Sequence, residues 1–350
     1  MADLVDRELN AAGITGSHLR LAYRAARSMH AAHGRSYFLA TRLLTPAQRP
    51  AVHALYGFAR YADEVVDDVA VVRGPSASAA QAGELDRLGA QLRSAIAERS
   101  PESASGDPVV LAVADTIHRY ELDPALFDAF LASMRMDITV TAYPDYAALC
   151  RYMYGSAAVI GLQMMPVLGV VGPAGTVDEA AKAAQALGIA FQLTNFLRDI
   201  GEDLDRGRVY LPSEEMASFG VTTQLLAWCR DTGRVEKRVR ALLIDQVHRA
   251  RGAYRRAEPG ITLLAPVSRP CIRTAYRLYS GILDSIVAHD YAVLHRRVSV
   301  PRGRRMVIAV PEGVKAYLVR YTALGTSNPA GVRAGVGQCG ATEPSPGPGA

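Results

Sequence analysis

The sequence predicts an all-α fold, a bundle of helices around a polar interior face. Three observations carry this. Alanine is abundant and alternating runs of β-branched residues are scarce. Capping signals and Gly/Pro breaks recur at helix-length intervals along the chain. Two separate segments carry polar and acidic side chains at helical spacing among apolar neighbours, and such stripes can face one another across a bundle and build a site there.

Residues 1–16 read as a polar N-terminal extension. A helix follows from about Ser17, which can cap it. Gly34 breaks that helix and a new apolar one begins. His33, Arg35 and Ser36 therefore cluster at a helix start, where backbone N–H groups and the dipole favour an anion. Thr45 and Gln48 form a capping box with Pro46 at the first helical position. The helix it opens carries Tyr56, Arg60, Asp63 and Asp67 at i, i+4, i+7 and i+11, one face of an otherwise apolar segment.

Residues 70–83 and 99–108 read as loops, with helices at about 84–98 and 109–120. Asp123 and Pro124 cap a helix to about Thr141, and Pro144 starts another that contains Tyr146, Tyr152 and Tyr154. Residues 157–171 are the most apolar stretch, but Gln163 and Pro166 interrupt it. It is too short and broken to span a membrane, so it is expected as a core helix. The segment 178–203 carries the second stripe, Gln192, Asn195, Asp199 and Asp203 at i, i+3, i+7 and i+11. Leu193, Phe196, Leu197 and Ile200 cover much of the rest. Like charges at i, i+4 cost roughly 0.2–0.5 kcal/mol, so a cation is expected between Asp199 and Asp203. Mg2+ suits that place, because one or two carboxylates plus phosphate oxygens commonly hold it. A solvated acidic face would explain a lone Asp-x-x-x-Asp; the amides Gln192 and Asn195 and the second copy at Asp63 and Asp67 argue against it.

A loop with Arg206, Arg208 and Tyr210 follows. Helices are expected at about 222–232, 234–256 and 268–295, and residues 302–305 are basic. A single all-α domain over 17–310 results, with residues 322–350, rich in Gly, Pro, Ala and Ser, expected to be disordered. Gly335, Gly337 and Gly340 spell a Gly-x-Gly-x-x-Gly, but no strand precedes it and no helix follows, so it is composition and not a dinucleotide site.

The chain has 350 residues, 49% hydrophobic, with a net charge of +5. The positive balance suits anionic substrates or an acidic membrane surface. No basic run with interleaved aromatics points to nucleic acid. Four widely spaced cysteines form no Cys-x-x-Cys, which fits a reducing cytoplasm, and no apolar signal core opens the chain.

With both stripes in hand, the chain resembles the squalene/phytoene synthase family, its bacterial phytoene synthases most closely. The matching stretches are residues 33–41, 54–68, 134–169, 192–212 and 279–298, which together span roughly 20–300. The resemblance implies the isoprenoid synthase bundle, with a central cavity between the two aspartate-bearing helices. It further implies that Asp63 and Asp67 form one Mg2+-binding element and Asn195, Asp199 and Asp203 the other, with Mn2+ as an alternative ion. Arg35, Ser36, Arg60 and Arg198, with His33 and Tyr56 nearby, would hold diphosphate oxygens. Tyr279 and Arg297 would reach them from the last helix. Tyr152 would stand near the reacting allylic carbons, and Gln192, Ala157, Val159 and Gly161 would line the prenyl channel. Thr41, small and one turn beyond Tyr37, is expected to leave depth for a long chain. Ala158 departs from the glycine usual in the family's Val-Ala-Gly run.

The activity so implied is head-to-head condensation of two geranylgeranyl diphosphates, through a cyclopropyl (prephytoene) diphosphate, to phytoene. No NADPH is expected. A greasy product and a basic surface imply peripheral membrane contact and handover to downstream carotenoid enzymes. Two alternatives stay open: a squalene, dehydrosqualene or presqualene diphosphate synthase using farnesyl diphosphate, and a non-catalytic prenyl-binding or assembly factor on the same fold. A head-to-tail elongase fits less well, because the paired Asp67 and Asp68 close the first motif and do not open it.

Overall fold

The computed structural model describes residues 2–67, 75–98, 106–173 and 175–326. Helices dominate: α1 (Ala2–Ala11), α2 (Ser17–His33), α3 (Arg35–Thr41), α4 (Arg49–Asp67), α5 (Pro75–Glu98), α6 (Pro108–Tyr120), α7 (Ala125–Thr139) and α8 (Tyr146–Met153) come first. A π-helical turn (Tyr154–Ala158) leads into α9 (Val159–Leu168) and α10 (Thr176–Asp205). Then follow α11 (Ser213–Ser218), α12 (Thr223–Thr232), α13 (Lys237–Ala257), α14 (Arg269–Ala288) and α15 (Arg302–Thr326). The described residues contain no strand, only isolated bridges at Ala142–Val209 and Val170–Leu264.

The spine is α10, 30 residues long, or about 45 Å at the helical rise. It packs on α13, α9, the π turn and α14. Its buried face carries Leu193, Phe196, Leu197 and Ile200, the apolar set read from the sequence. A second core joins α4 to α5, α6 and α7 through Leu55, Phe58, Val66, Phe127 and Phe130. Burying side chains of that size contributes roughly 1.5–3 kcal/mol each, and this holds the two acidic helices in place.

Five expectations about the elements change. Residues 2–11 are helical and docked: Val5, Leu9 and Ile14 pack with Leu19, Tyr23 and Ala54, and buried Glu8 pairs with Arg49 at 2.7 Å. α2 starts at Ser17, but Gly16 is the cap position and no side chain caps it. Thr45 does meet Gln48 (its N–H donates to Oε1 at 3.2 Å), yet Gln48 also donates to the Val167 carbonyl and Ser268, and α4 begins only at Arg49. α5 extends back to Pro75, so part of the expected 70–83 loop is helix. At the other end a helix not read from the sequence, α15, runs to Thr326. The remaining loop residues at 68–74 and 99–105, and the glycine run at 335–340, lie outside the described residues.

Candidate active site

One large cavity, about 970 Å³, opens among α2, α3, α4, α7, α9, α10 and α14. Both stripes face it. From α4 come Tyr56, Arg60 and Asp63; from α10 come Gln192, Asn195, Arg198, Asp199 and Asp203. His33, Ser36, Tyr152, Tyr279 and Arg297 complete the set expected from the sequence. Arg35 and Asp67 lie on the same helices, at positions whose side chains are outside the described residues. Val66, Phe130, Met134, Ile160, Leu278 and Ile282 add an apolar stretch of wall.

The carboxylates are held by arginines. Arg60 spans Asp63 (2.6 Å) and Glu64 (2.9 Å), one helical turn away each. Arg198 forks onto Asp199, with Nε donating to Oδ1 at 2.8 Å. Burial opposes the charge of Arg198, but the hydrogen bonds and charge of Asp199 outweigh it and hold the guanidinium above its usual value. Arg297 reaches Asp199 at 3.2 Å and Glu202 at 3.3 Å from the segment after α14. The charge of Arg198 bears on Tyr279, whose phenol burial pushes up and whose ring stacks on Tyr37 at 4.6 Å.

Asp203 is different. Burial and the like charge of Asp199 push its carboxyl up to about 7, against the pull of Arg206 and Arg208. One turn before Asp199, the Asn195 Oδ1 is buried and has no hydrogen-bond partner. A buried carbonyl oxygen without a donor costs about 1–3 kcal/mol. An orphan acceptor beside two carboxylates is a donor set for a hard cation, and it fits Mg2+.

Sequence reasoning missed a second polar cluster in the same cavity. Asp137, on α7, accepts a hydrogen bond from the Tyr152 hydroxyl at 2.6 Å and from Tyr210 at 3.3 Å. Arg208 donates to the Asp137 backbone carbonyl at 3.0 Å. Burial raises the Asp137 carboxyl to about 6, although the tyrosine bonds oppose that. Burial and the Asp137 charge push Tyr152 well above the usual phenol range, so its hydroxyl stays protonated. The signal was present: Phe127, Phe130, Leu131 and Met134 mark the buried face of α7, and Asp137 falls one turn further on that face.

Two expectations about the wall need correction. Ala157 and Val159 are buried in packing, and a Cβ on Gly161 would meet the Ala184 carbonyl at 2.3 Å. Ser156 and Ile160 face the cavity instead. The π turn inserts one extra residue into the helical register, which rotates the following residues. Thr41 is buried with its hydroxyl on the Tyr37 carbonyl (2.9 Å) and is not part of the wall, so it does not set cavity depth directly.

Comparison with known proteins agrees with this arrangement. A phytoene synthase of Arthrospira platensis is 37% identical over 293 residues, covering 81% of this chain and 90% of its own. Phytoene synthase 3 of Zea mays, a chloroplastic protein, is 37% identical over 287 residues, 82% of this chain; the chain spans 63% of that relative's length. Among solved structures, a dehydrosqualene synthase with bound ligand superposes with a TM-score of 0.73 at 25% identity, over 87% of this chain and 98% of that one. A squalene synthase from Alicyclobacillus acidocaldarius gives 0.67 at 25% identity, over 81% and 99%. The sequence profile described as squalene/phytoene synthase matches residues 30–304, about four-fifths of the chain and every residue that lines the cavity, and the chain belongs to that family.

Proposed function

We propose that this chain is a phytoene synthase, a prenyltransferase that joins two geranylgeranyl diphosphates head to head through a cyclopropyl (prephytoene) diphosphate and releases diphosphate. The observation that carries the reading is a single cavity walled by two carboxylate-bearing helices with interleaved arginines, in a chain whose relatives bear that name.

Asp63 and Asp67 from α4, and Asn195, Asp199 and Asp203 from α10, would hold Mg2+, with Mn2+ as an alternative. Among the described residues no three His, Cys, Asp or Glu side chains converge on one point, so substrate oxygens and water would complete the shell, as is usual for Mg2+. Bound there, the metal supplies charge neutralisation for the departing diphosphate. Arg60, Arg198 and Arg297 exchange their carboxylate partners for diphosphate oxygens, with Arg35, Ser36, His33 and Tyr56 beside them. Ionisation leaves an allylic cation, which alkylates the acceptor's double bond. Tyr152, fixed by Asp137, offers its ring to that cation. The apolar wall keeps water from quenching it. Proton loss closes the cyclopropane; the second diphosphate then leaves, the cation rearranges, and a second proton loss gives the hydrocarbon without a reductant, hence without NADPH. Tyr152 and Tyr210 are both held protonated by burial first and by Asp137 second, which favours the released diphosphate as proton acceptor.

No helix among the described residues is long and apolar enough to cross a membrane. Peripheral contact with a membrane from the cytoplasm, and handover of the hydrocarbon to downstream carotenoid enzymes, suit an insoluble product. The test is purified protein with Mg2+ and geranylgeranyl diphosphate, without NADPH, and chromatography of the extracted hydrocarbon. Phytoene, lost in Asp63→Asn and in Asp199→Asn, is the expected result. Turnover of farnesyl diphosphate alone would move the chain to the squalene-type branch that its solved neighbours represent. No turnover of either would leave a prenyl-binding factor.

A further inference from the structure

The last helix is amphipathic in the inverted sense. A helix on the surface of a soluble protein turns its apolar stripe inward and its charges outward. α15 does the reverse. Its single carboxylate, Glu312, is fully buried against α14. There it pairs with Arg277 at 3.2 Å, Arg273 at 3.8 Å and Lys315 at 2.9 Å. Ala316, one turn on, is buried beside it. Breaking a buried pair by turning the helix would strand that carboxylate, so Glu312 fixes which face of α15 looks outward.

The outward face is apolar. Met306, Val307, Val310 and Val314 are 57%, 73%, 52% and 54% exposed, and Tyr317 and Leu318 extend the exposed row. Six of the fourteen large apolar side chains exposed among the described residues stand on this one helix. Positions 307, 310, 314 and 317 follow the i, i+3, i+7, i+10 spacing of a continuous stripe. Basic residues border one edge: Arg304 and Lys315, 52% and 50% exposed, pair there with Asp284 and Glu312, and Arg273 and Arg277 of α14 share the single Glu312, which leaves a surplus of positive charge beside the stripe. No acidic residue shares the outward face.

We infer that α15 is the membrane-docking surface of the protein, and that it lies flat on a bilayer containing anionic lipid with Met306, Val307, Val310 and Val314 inserted. The inference rests on the proposed prenyl diphosphate chemistry for its purpose and on α15 alone for its geometry. An apolar stripe with a surplus of positive charge along its edge is complementary to acyl chains below anionic headgroups. The half-exposed Arg304 and Lys315 can extend toward the phosphates while the stripe is immersed. A second copy of the chain would bring two positively charged edges to one interface, which disfavours pairing through this face. The location also serves the substrate. Arg297, Ser299 and Val300, just before α15, line the cavity, and α14 beneath it contributes Leu278, Tyr279 and Ile282. A docked α15 sets the cavity one helix away from the bilayer in which long prenyl chains partition.

The test is sedimentation of the full chain with vesicles of phosphatidylcholine plus phosphatidylglycerol, and with phosphatidylcholine alone, at low and high salt. The double variant Val307→Glu/Val314→Glu is compared. The expected result is salt-sensitive binding to the anionic vesicles only, reduced about tenfold or more in the variant. Hydrocarbon formation from geranylgeranyl diphosphate in detergent micelles, where docking is irrelevant, stays at the parental level and shows that the variant is folded. If the glutamates lower that activity, Val307→Ala/Val314→Ala reads the same loss in milder form, about threefold. Absence of vesicle binding by the parent, equal binding by the variants, or a lipid-free dimer that the variants dissociate would each overturn the inference. Vesicle binding with no product in micelles would sink the enzymatic reading and leave the docking surface standing.

Discussion

Replacing Asp203 by Asn should remove activity and at the same time stabilise the ligand-free protein. Burial first, and the charge of Asp199 second, raise this carboxyl from 3.8 to about 7. A carboxyl raised on folding supports the folded state in its protonated form. Its contribution is whole below 3.8 and is lost as pH climbs through about 7. At about 1.36 kcal/mol per pH unit the difference has a ceiling of about 4 kcal/mol, and solvent that enters an open cavity reduces it to roughly 1–3 kcal/mol. Asparagine imitates the protonated carboxyl and cannot ionise. Asp203→Asn should therefore match the parent near pH 4 and exceed it above pH 7, by roughly 2–6 °C in Tm at about 2 °C per kcal/mol. The assay is thermal unfolding of metal-free protein at pH 4, 6 and 8, beside product formation at pH 8. A Tm gain that does not grow with pH, or a variant less stable than the parent at pH 8, would refute the argument that this site stores repulsion for a cation to relieve.

The same electrostatics give a ligand prediction: the affinity for Mg2+ with an unreactive diphosphate should rise between pH 6 and 7.5 and level off above, measured by calorimetry, because Asp203 must lose its proton to bind. Asp137→Leu leaves two tyrosine hydroxyls without their acceptor, and should cost about 2–4 kcal/mol in unfolding experiments and lower kcat. Asp137→Asn, which keeps an acceptor, should recover most of the stability. Arg297→Ala should raise KM several-fold with a smaller change in kcat, because two ion pairs tie Arg297 to the cavity rim and it bears on diphosphate binding more than on the allylic carbons. Gly188→Ala places a Cβ 2.3 Å from the Ala157 carbonyl, and should cost about 1–3 kcal/mol, read as a lower Tm.

The two stripes were legible because helical periodicity is local: Asp63 and Asn195 to Asp203 follow from spacing alone, and the cavity brings them together. Arg206, Arg208 and Tyr210 could be seen as a polar loop, but not that the loop folds back so that Tyr210 reaches Asp137. That is a contact between residues 73 positions apart, and no local pattern encodes it. The Ser156 and Ile160 phase was lost to the π turn, since one inserted residue shifts a 3.6-residue pattern by about 100°. α15 escaped for another reason. Its buried charge and exposed valines invert the rule by which helices are recognised as surface elements. The family resemblance covered what periodicity could not, although it brought Ala157, Val159 and Gly161 into a wall that they do not line.

The glycines along the π turn, α9 and α10 bear on how this cavity could be altered. A Cβ on Gly155 would strike the Ala129 carbonyl at 2.2 Å, one on Gly161 the Ala184 carbonyl at 2.3 Å, and one on Gly188 the Ala157 carbonyl at 2.3 Å. Backbone meets backbone at Gly161 and Gly188, and at Gly155 the Ser133 hydroxyl, at 2.2 Å, is as near as the carbonyl, so α7, the π turn with α9, and α10 are clamped as one slab. Such a slab has no slack to give. Redesign for a longer or shorter prenyl chain has to work through side chains that project into the space, such as Phe130, Met134 and Ile160, or through the opposite side formed by Tyr37 and Tyr279.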